Sequence, residues 1–178
     1  MPLSKSLERK VEHSKAVMQR ERDRYPTSWG VFFSGGKDST VMLHLIGDGS
    51  PIWARALFLD TGHKPLETYD YIKRMESIWE LTLTTVTPKE PIECGEECKK
   101  WKAIMAREIP AMSDKPFDVM FVATRKDEHP ARQWTPETSH KWKPRRVHPI
   151  LAWTEQDVWD YIKHYGGPGH PGCERGIR

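Results

Sequence analysis

The residues best suited to chemistry form one short segment near the start of the chain. In order, they are Ser34, Gly35, Gly36, Lys37, Asp38 and Ser39. Two adjacent glycines allow a sharp turn and a close approach of the backbone to a ligand, because no Cβ stands in the way. The lysine supplies a mobile cation, the serines supply hydroxyl groups, and the aspartate offers oxygens to Mg2+. These residue types predict a site for a phosphate-bearing ligand.

The sequence around this segment predicts the elements that position it. An apolar run of strand length, residues 29–33, precedes the glycines, and apolar residues then recur at Val41, Met42 and Leu45 with helical spacing. A strand, a tight turn and a helix follow from this pattern. The first amides of the helix have no intrahelical acceptor, so they form an anion site together with the positive end of the helix dipole. The alternative is a glycine turn that binds nothing.

Two familiar phosphate loops are excluded by counting. The Walker pattern needs glycine five residues before its Gly-Lys pair and serine or threonine directly after it, but Val31 and Asp38 occupy those places. The dinucleotide fingerprint is absent because no stretch reads Gly-x-Gly-x-x-Gly.

Composition limits the class of protein. With 178 residues the chain is long enough for one well-formed core and too short for two ordinary domains. It has no apolar run of membrane-spanning length, and residues 1–5 lack the apolar core of a signal peptide. Three cysteines, an odd number, argue against a disulfide framework and fit a reducing compartment, so we expect a cytoplasmic protein. A net charge of +3 suits an anionic substrate without indicating nucleic acid.

The remaining pattern predicts an α/β fold. Further strands are expected in residues 51–60, 81–86 and 117–124. Helices are expected in residues 6–25, 65–80, 154–162 and around Trp101 and Met105. In the helix at 65–80, we expect one core-facing stripe, consisting of Leu66, Tyr69, Ile72, Met75 and Trp79. The helix at 6–25 is expected at the surface, and residues 133–143 are expected to form a mobile active-site loop.

Polar residues follow two of the predicted strands, where open α/β sheets bind ligands. Asp60 and Thr61 end the second strand, although Asp60 is also placed to cap the next turn. Arg125, Lys126 and Arg132 follow the strand at 117–124, where cations can meet phosphate or sulfate. The alternative for these cations is a solvated charged loop.

Two other groups of residues leave their roles open. Cys94, Cys98 and Cys173 are too few for a four-ligand zinc or iron–sulfur site, so we expect free thiols and no iron–sulfur cluster. Residues 141–146 interleave cations with a tryptophan, which suits a grip on a nucleotide or a nucleic-acid strand, or simply an exposed basic loop.

Several segments resemble one known family. Residues 34–39 are similar to the PP-loop of the N-type ATP pyrophosphatases. Residues 57–69 resemble the Asp-Thr-Gly segment shared by ATP sulfurylase small subunits and phosphoadenosine phosphosulfate (PAPS) reductases. Residues 125–132 resemble the Arg-Arg-Asp-Glu segment of the sulfurylase small subunit, with lysine at position 126, and residues 149–162 resemble its closing segment.

The resemblance implies a fold and its division along the chain. The fold is a three-layer, mostly parallel sheet of about five strands with helices on both faces, adenine nucleotide alpha hydrolase-like. Residues 1–28 would form a charged N-terminal helix, residues 29–165 the PP-loop nucleotide-binding domain, and residues 166–178 a flexible Gly/Pro-rich tail.

The resemblance also implies a reaction, which is cleavage of ATP at the α-phosphate with transfer of adenylyl to an acceptor such as a sulfate-like oxyanion. The catalytic residues would be Lys37, Asp38, Arg125 and Arg132, with Asp38 also holding Mg2+. The nucleotide-binding residues would be Ser34, Gly35, Gly36, Lys37, Asp38, Ser39, Asp60, Thr61 and Lys126. A larger partner subunit and a homodimer are both compatible with the resemblance, whereas a membrane is not expected.

Two alternatives remain open. The first is a PAPS or APS reductase that uses Cys173 as its nucleophile, although the residues after Cys173 match that family's C-terminal segment weakly. The second is an ATP-binding subunit that acts with nucleic acid or a partner protein through residues 141–146.

Overall fold

A six-stranded sheet organises the described part of the chain in the computed structural model, which describes residues 2–47, 55–88, 117–141 and 143–165. The strands are β1 (Trp29–Phe32), β2 (Arg55–Leu59), β3 (Thr82–Val86), β4 (Val119–Phe121), β5 (Thr138–Ser139) and β6 (Arg145–Val147). The helices are α1 (Lys5–Arg24), α2 (Lys37–Ile46), α3 (Leu66–Trp79) and α4 (Glu155–Tyr165). Two short 3-10 helices, Lys126–Glu128 and Pro130–Arg132, follow β4.

The order of the strands creates a natural ligand crevice. The sheet runs β3-β2-β1-β4-β6-β5, with only β5 antiparallel to its neighbour. The chain leaves β1 for β2 on one side and later returns to β4 on the other side. This reversal makes the carboxyl ends of β1 and β4 a topological switch point, the place where open α/β sheets bind ligands. The predicted mostly parallel sheet is confirmed.

The sheet separates two apolar clusters. The larger one joins residues of all four described helices to one face of the strands, including Val31, Phe58 and Phe121. The smaller one contains Leu57, Leu59 and Met120, which alternate with the first set as strand residues must. The helix predicted around Trp101 lies outside the described residues.

Helix α1 is built into the core more deeply than its charged composition predicts. Leu7, Val17 and Met18 are each 1% exposed. Ser14 is fully buried, and its Oγ donates to the carbonyl of Pro149 at 2.7 Å and accepts from Trp153 Nε1 at 3.0 Å. The expectation of a surface helix is confirmed, because the charged face of α1 stays exposed. The small Ser14 also lets the helix approach the segment before α4, a contact that apolar periodicity does not register.

The core-facing stripe of α3 matches the prediction except at its first residue. Ile72 and Met75 are buried and Tyr69 and Trp79 pack against the core, whereas Leu66 is 78% exposed. Leu66 is the first residue of the helix, following the N-cap Pro65, so its side chain precedes the turn that packs on the core.

Several other predictions concern residues that the structure does not describe or describes only in part. Cys94, Cys98, Cys173 and the tail 166–178 lie outside them. Residues 133–143, predicted to form a mobile active-site loop, contain the short strand β5. Within the described ranges no helix is long and apolar enough to cross a membrane.

Asp157 links the start of α4 to α1 and gives a testable pH dependence. Its Oδ2 accepts from Thr154 N at 2.7 Å, Thr154 Oγ1 at 2.8 Å and Lys10 Nζ at 2.5 Å. Burial raises the pKa of Asp157, but the Lys10 and Thr154 hydrogen bonds outweigh it, so the pKa lies below its usual value. A lowered folded-state pKa stabilises the fold above the unfolded value of about 3.9, and this contribution is lost as pH falls through the folded value.

We therefore expect Asp157→Asn to lower the free energy of unfolding at pH 7 by about 1 kcal/mol, because Lys10 loses its anion while the cap is partly kept. The free energy of unfolding, measured in urea, should also fall less between about pH 6 and pH 2 in the variant than in the wild type. Parallel curves would refute this assignment.

Candidate functional site

The loop between β1 and α2 folds around its own hydroxyl groups. Ser39 Oγ donates to the carbonyl of Gly36 at 2.9 Å and accepts from Ser34 N at 3.2 Å. Ser34 Oγ in turn accepts from Gly36 N at 3.3 Å. Gly36 is the N-cap of α2 and has no side chain to satisfy the first amides of the helix, which are therefore left for a ligand.

Gly35 adopts a conformation that requires glycine. Its φ is +79°, in the left-handed region, and a Cβ placed there would lie 3.1 Å from Thr68 Cγ2 and 3.4 Å from Ile72 Cδ1. The loop therefore rests directly on α3, and its shape depends on the missing side chain.

The substitution Gly35→Ala should both destabilise the protein and reshape the loop. Left-handed backbone costs an alanine roughly 1–2 kcal/mol, and the crowding against Thr68 adds to this. Gly62→Ala is a matched control, because Gly62 has a φ of +76° but nothing within 4 Å of its Cβ position. Urea unfolding should show a larger loss for Gly35→Ala than for Gly62→Ala, and equal losses would show that the contact with α3 does not matter.

A cavity of about 330 Å3 opens above this loop. It lies at the switch point, because it is bounded by Phe32 at the end of β1, Leu59 at the end of β2 and residues 122–124 after β4. The polar residues that line it are Ser34, Asp38, Ser39, Thr61, Lys64, Thr124, Glu128 and Arg132. Apolar strand ends with a few converging polar groups are typical of a small-molecule site.

Lys37 lies beside the cavity and is held by carboxylates. Its Nζ is 3.2 Å from Glu155 Oε1 and 3.9 Å from Asp38 Oδ2. The Glu155 side chain is 51% exposed, so this ion pair is weak and the long lysine side chain can exchange it for a stronger anion.

Arg125 is the buried cation at the centre of a carboxylate cluster. It is 3% exposed, its Nε donates to Asp38 Oδ1 at 2.9 Å, and its Nη1 donates to Asp127 Oδ1. Glu128 Oε1 lies 3.8 Å from its Nε. Arg125 does not line the cavity itself; it fixes the orientation of Asp38, which does.

Asp60 and Thr61 take different positions after β2. Asp60 Oδ1 accepts from Gly62 N at 2.9 Å and from Tyr69 Oη at 2.6 Å, and Asp60 does not line the cavity. The hydrogen bond to Asp60 raises the pKa of Tyr69, with burial adding to the effect. Asp60 thus serves here as the turn cap. Thr61 lines the cavity, and its buried Oγ1 has no hydrogen-bond partner among the described residues.

The cations after β4 are also divided. Arg132 lines the cavity and pairs with Glu128. Lys126 instead lines a separate cavity of about 410 Å3 next to α1. Lys64 lines the main cavity although no role was predicted for it, and its place in the loop after β2 was the available signal.

Asp38 is the described residue best placed to contact a metal ion. Among the described residues, no group of three or more His, Cys, Asp or Glu side chains is arranged to hold a metal ion. One Asp38 oxygen is held by Arg125 and the other faces Lys37 at 3.9 Å. A single carboxylate fits Mg2+ that arrives with the phosphates of a nucleotide, because the ion keeps most of its ligands from phosphate and water.

Solved structures share this fold. FMN adenylyltransferase from Candida glabrata, in complex with FAD and inorganic pyrophosphate, is similar with a TM-score of 0.69 and 15% identity, over 93% of this chain and 58% of that chain. PAPS reductase from Candida auris, in a phosphate complex, is similar with a TM-score of 0.68 and 18% identity, over 99% of this chain and 94% of that chain. These likenesses confirm the predicted adenine nucleotide alpha hydrolase-like fold.

Two curated relatives share one description. Sulfate adenylyltransferase subunit 2 of Streptomyces lavendulae is 30% identical over 74% of this chain and 52% of its own length. The protein of the same description from Shigella dysenteriae is 29% identical over 74% of this chain and 55% of its own length. The chain therefore spans about half the length of these relatives. The sequence model of the phosphoadenosine phosphosulfate reductase domain matches residues 29–178. This match covers most of the chain, which accordingly belongs to the phosphoadenosine phosphosulfate reductase domain family.

Proposed function

We propose that the chain binds ATP in the cavity at the switch point and transfers its adenylyl group to an acceptor with release of pyrophosphate. The observation that carries the proposal is the loop at residues 34–39, whose unpartnered helix amides face a cavity between the ends of β1 and β4. The β- and γ-phosphates would lie on these amides, because the amides and the helix dipole favour anions. The apolar strand ends, Phe32, Leu59 and Val122, would face the adenosine.

The reaction follows from where charge develops. An acceptor oxygen attacks the α-phosphorus, the bond from that phosphorus to the bridging oxygen breaks, and pyrophosphate leaves with the bond electrons. Lys37 leaves Glu155 for the phosphates and, with the loop amides, stabilises the growing negative charge. Arg132 neutralises the acceptor or the α-phosphate from the opposite wall. A sulfate-like acceptor carries no proton at neutral pH and needs no general base. The chain therefore acts by positioning and electrostatic stabilisation.

Asp38 would hold Mg2+ in this complex. When bound, the ion withdraws charge from the phosphate oxygens and so assists the departure of pyrophosphate. The role of Arg125 is to orient the Asp38 carboxylate, since it holds one oxygen at 2.9 Å and leaves the other available.

A larger partner subunit is part of the proposal, because the relatives of this chain are described as subunit 2. A sulfate-like oxyanion is proposed as the acceptor because the same relatives are described as sulfate adenylyltransferases. The protein is further proposed to be cytoplasmic, where its substrate ATP is available.

An exchange assay tests the reaction directly. Labelled pyrophosphate should enter ATP in the presence of Mg2+ and sulfate, with and without the large subunit of a relative, because adenylyl transfer is reversible. Selenate can replace sulfate to define the acceptor. No exchange with any oxyanion, under conditions where ATP binds, would reject adenylyl transfer.

The family match favours one second candidate, a sulfonucleotide reductase. It extends through Cys173, the residue that would act as the nucleophilic thiol. If this candidate is right, Cys173→Ser abolishes thiol-dependent release of sulfite from PAPS while Lys37→Ala spares it. If adenylyl transfer is the reaction, Lys37→Ala abolishes pyrophosphate–ATP exchange while Cys173→Ser leaves it intact.

A further inference from the structure

A second polar cavity lies at the other end of the strands from the proposed ATP site. It has a volume of about 280 Å3. Phe117 and Asp118 precede β4, Arg145 opens β6, and Tyr25 precedes β1, so the cavity lies at the amino ends of the strands. Its remaining lining residues are Arg24, His140, Lys143 and Pro144.

Positive charge dominates the lining. Arg24, Lys143 and Arg145 face one carboxylate, that of Asp118, which already accepts a hydrogen bond from Ser28 Oγ at 2.6 Å. No carboxylate among the described residues forms an ion pair with Arg24 or Lys143. Asp118 and Glu21, which pairs with Arg145, offset only part of this positive charge, so the cavity still attracts anions.

Tyr25 holds two of these cations in place. The guanidinium carbon of Arg145 lies 5.0 Å from the ring centroid, and that of Arg24 lies 5.6 Å from it. Both distances fit cation–π contacts, which restrict the two planar groups without consuming their hydrogen-bond donors. The guanidinium groups are therefore oriented before any ligand arrives.

Arg145 has one donor that the protein leaves unsatisfied. Its Nη2 pairs with Glu21, which is 4% exposed, whereas its buried Nε has no acceptor among the described residues. Most buried donors are satisfied, and leaving one unsatisfied costs free energy. An anion in the cavity, which Arg145 lines, would offset part of this cost through its charge.

From these observations we propose that this cavity binds a phosphate group, with Arg24, Lys143 and Arg145 as its ligands. The phosphate is either inorganic or carried by a nucleic-acid strand, because the recognising chemistry is the same for both. This site gives a role to part of the basic segment 141–146 that the ATP site does not use. It is independent of the proposed reaction, since its residues and those of the loop at 34–39 lie at opposite ends of the strands.

Side-chain NMR of the full chain tests the site. All variants carry Lys37→Ala, which weakens phosphate binding at the loop. The readout is the Nε–H signal of Arg145 during titration. This signal is assigned as the one missing from the spectrum of an Arg145→Lys variant. One arm uses inorganic phosphate, and the other uses a single-stranded oligothymidylate of twelve nucleotides. The test variant is Arg24→Ala with Lys143→Ala. The control is Lys5→Ala with Lys163→Ala, which removes the same charge from exposed positions on α1 and α4.

We expect a saturable shift of the Arg145 signal, unchanged in the control and weakened at least tenfold in the test variant. Tighter binding of the oligonucleotide than of phosphate, with a strong salt dependence, would identify a nucleic-acid strand as the source. Binding of phosphate alone would identify a free anion. Absence of a saturable shift in both arms, or equal weakening in the test and control variants, would overturn the proposal.

Discussion

Replacing Lys37 by alanine should reduce pyrophosphate–ATP exchange by at least about a hundredfold. Removing one preorganised group that stabilises transition-state charge typically costs 10²–10³ in rate. Lys37 is the cation of the loop, and its present partner Glu155 is an exposed carboxylate that a triphosphate can displace. The same substitution should change the free energy of unfolding by no more than about 0.5 kcal/mol, because the carboxylate of Glu155 is half exposed and water can solvate it once the lysine is gone.

Lys163→Ala is the control for the loss of one positive charge, because Lys163 lies in the last turn of α4, away from the cavity. Its exchange rate should match the wild type. Lys37→Arg should recover only part of the activity, since a planar guanidinium does not reproduce a compact ammonium. An exchange rate within threefold of the wild type for Lys37→Ala would show that Lys37 does not stabilise the leaving pyrophosphate.

Replacing Arg125 by alanine should damage both folding and activity. Arg125 is 3% exposed and contacts Asp38, Asp127 and Glu128. Breaking a buried ion pair by removing one partner costs about 3–5 kcal/mol. The carboxylates here are 19–36% exposed, so water can solvate them in part, and we expect a loss near the lower figure of about 3 kcal/mol in urea unfolding.

Arg132→Ala separates the two effects. The Arg132 side chain is 41% exposed and pairs with Glu128 at the wall of the cavity. We expect this variant to lose exchange activity while its free energy of unfolding falls by no more than about 1 kcal/mol. Equal destabilisation by Arg125→Ala and Arg132→Ala would show that Arg125 is not the structural centre of the carboxylate cluster.

The sequence allowed the sheet and the loop to be predicted because both depend on local patterns. An apolar strand followed by two glycines and a helical repeat permits few other conformations, and the positive φ of Gly35 shows why one glycine is needed. The positions of Arg132, Thr61 and Asp38 at the ligand cavity could be predicted from topology. Arg132 and Thr61 follow the carboxyl ends of parallel strands, and Asp38 lies in the first turn of the helix that follows β1.

The sequence did not show which way individual side chains turn. Arg125 and Lys126 are adjacent, yet Arg125 contacts Asp38 and Lys126 lines the other cavity. Asp60 serves as a turn cap through Gly62 and Tyr69, an outcome that local sequence allowed but could not select. These choices depend on the packing of segments that are distant along the chain, which neither periodicity nor composition encodes.

A crystal structure of the protein with Mg2+ and a non-hydrolysable ATP analogue would test the central claim most directly. The account predicts the β- and γ-phosphates on the amides of residues 35–39, Lys37 moved from Glu155 onto a phosphate oxygen, and the adenosine against the ends of β1, β2 and β4. An analogue bound elsewhere, with the loop at residues 34–39 free of phosphate and Lys37 still on Glu155, would contradict it.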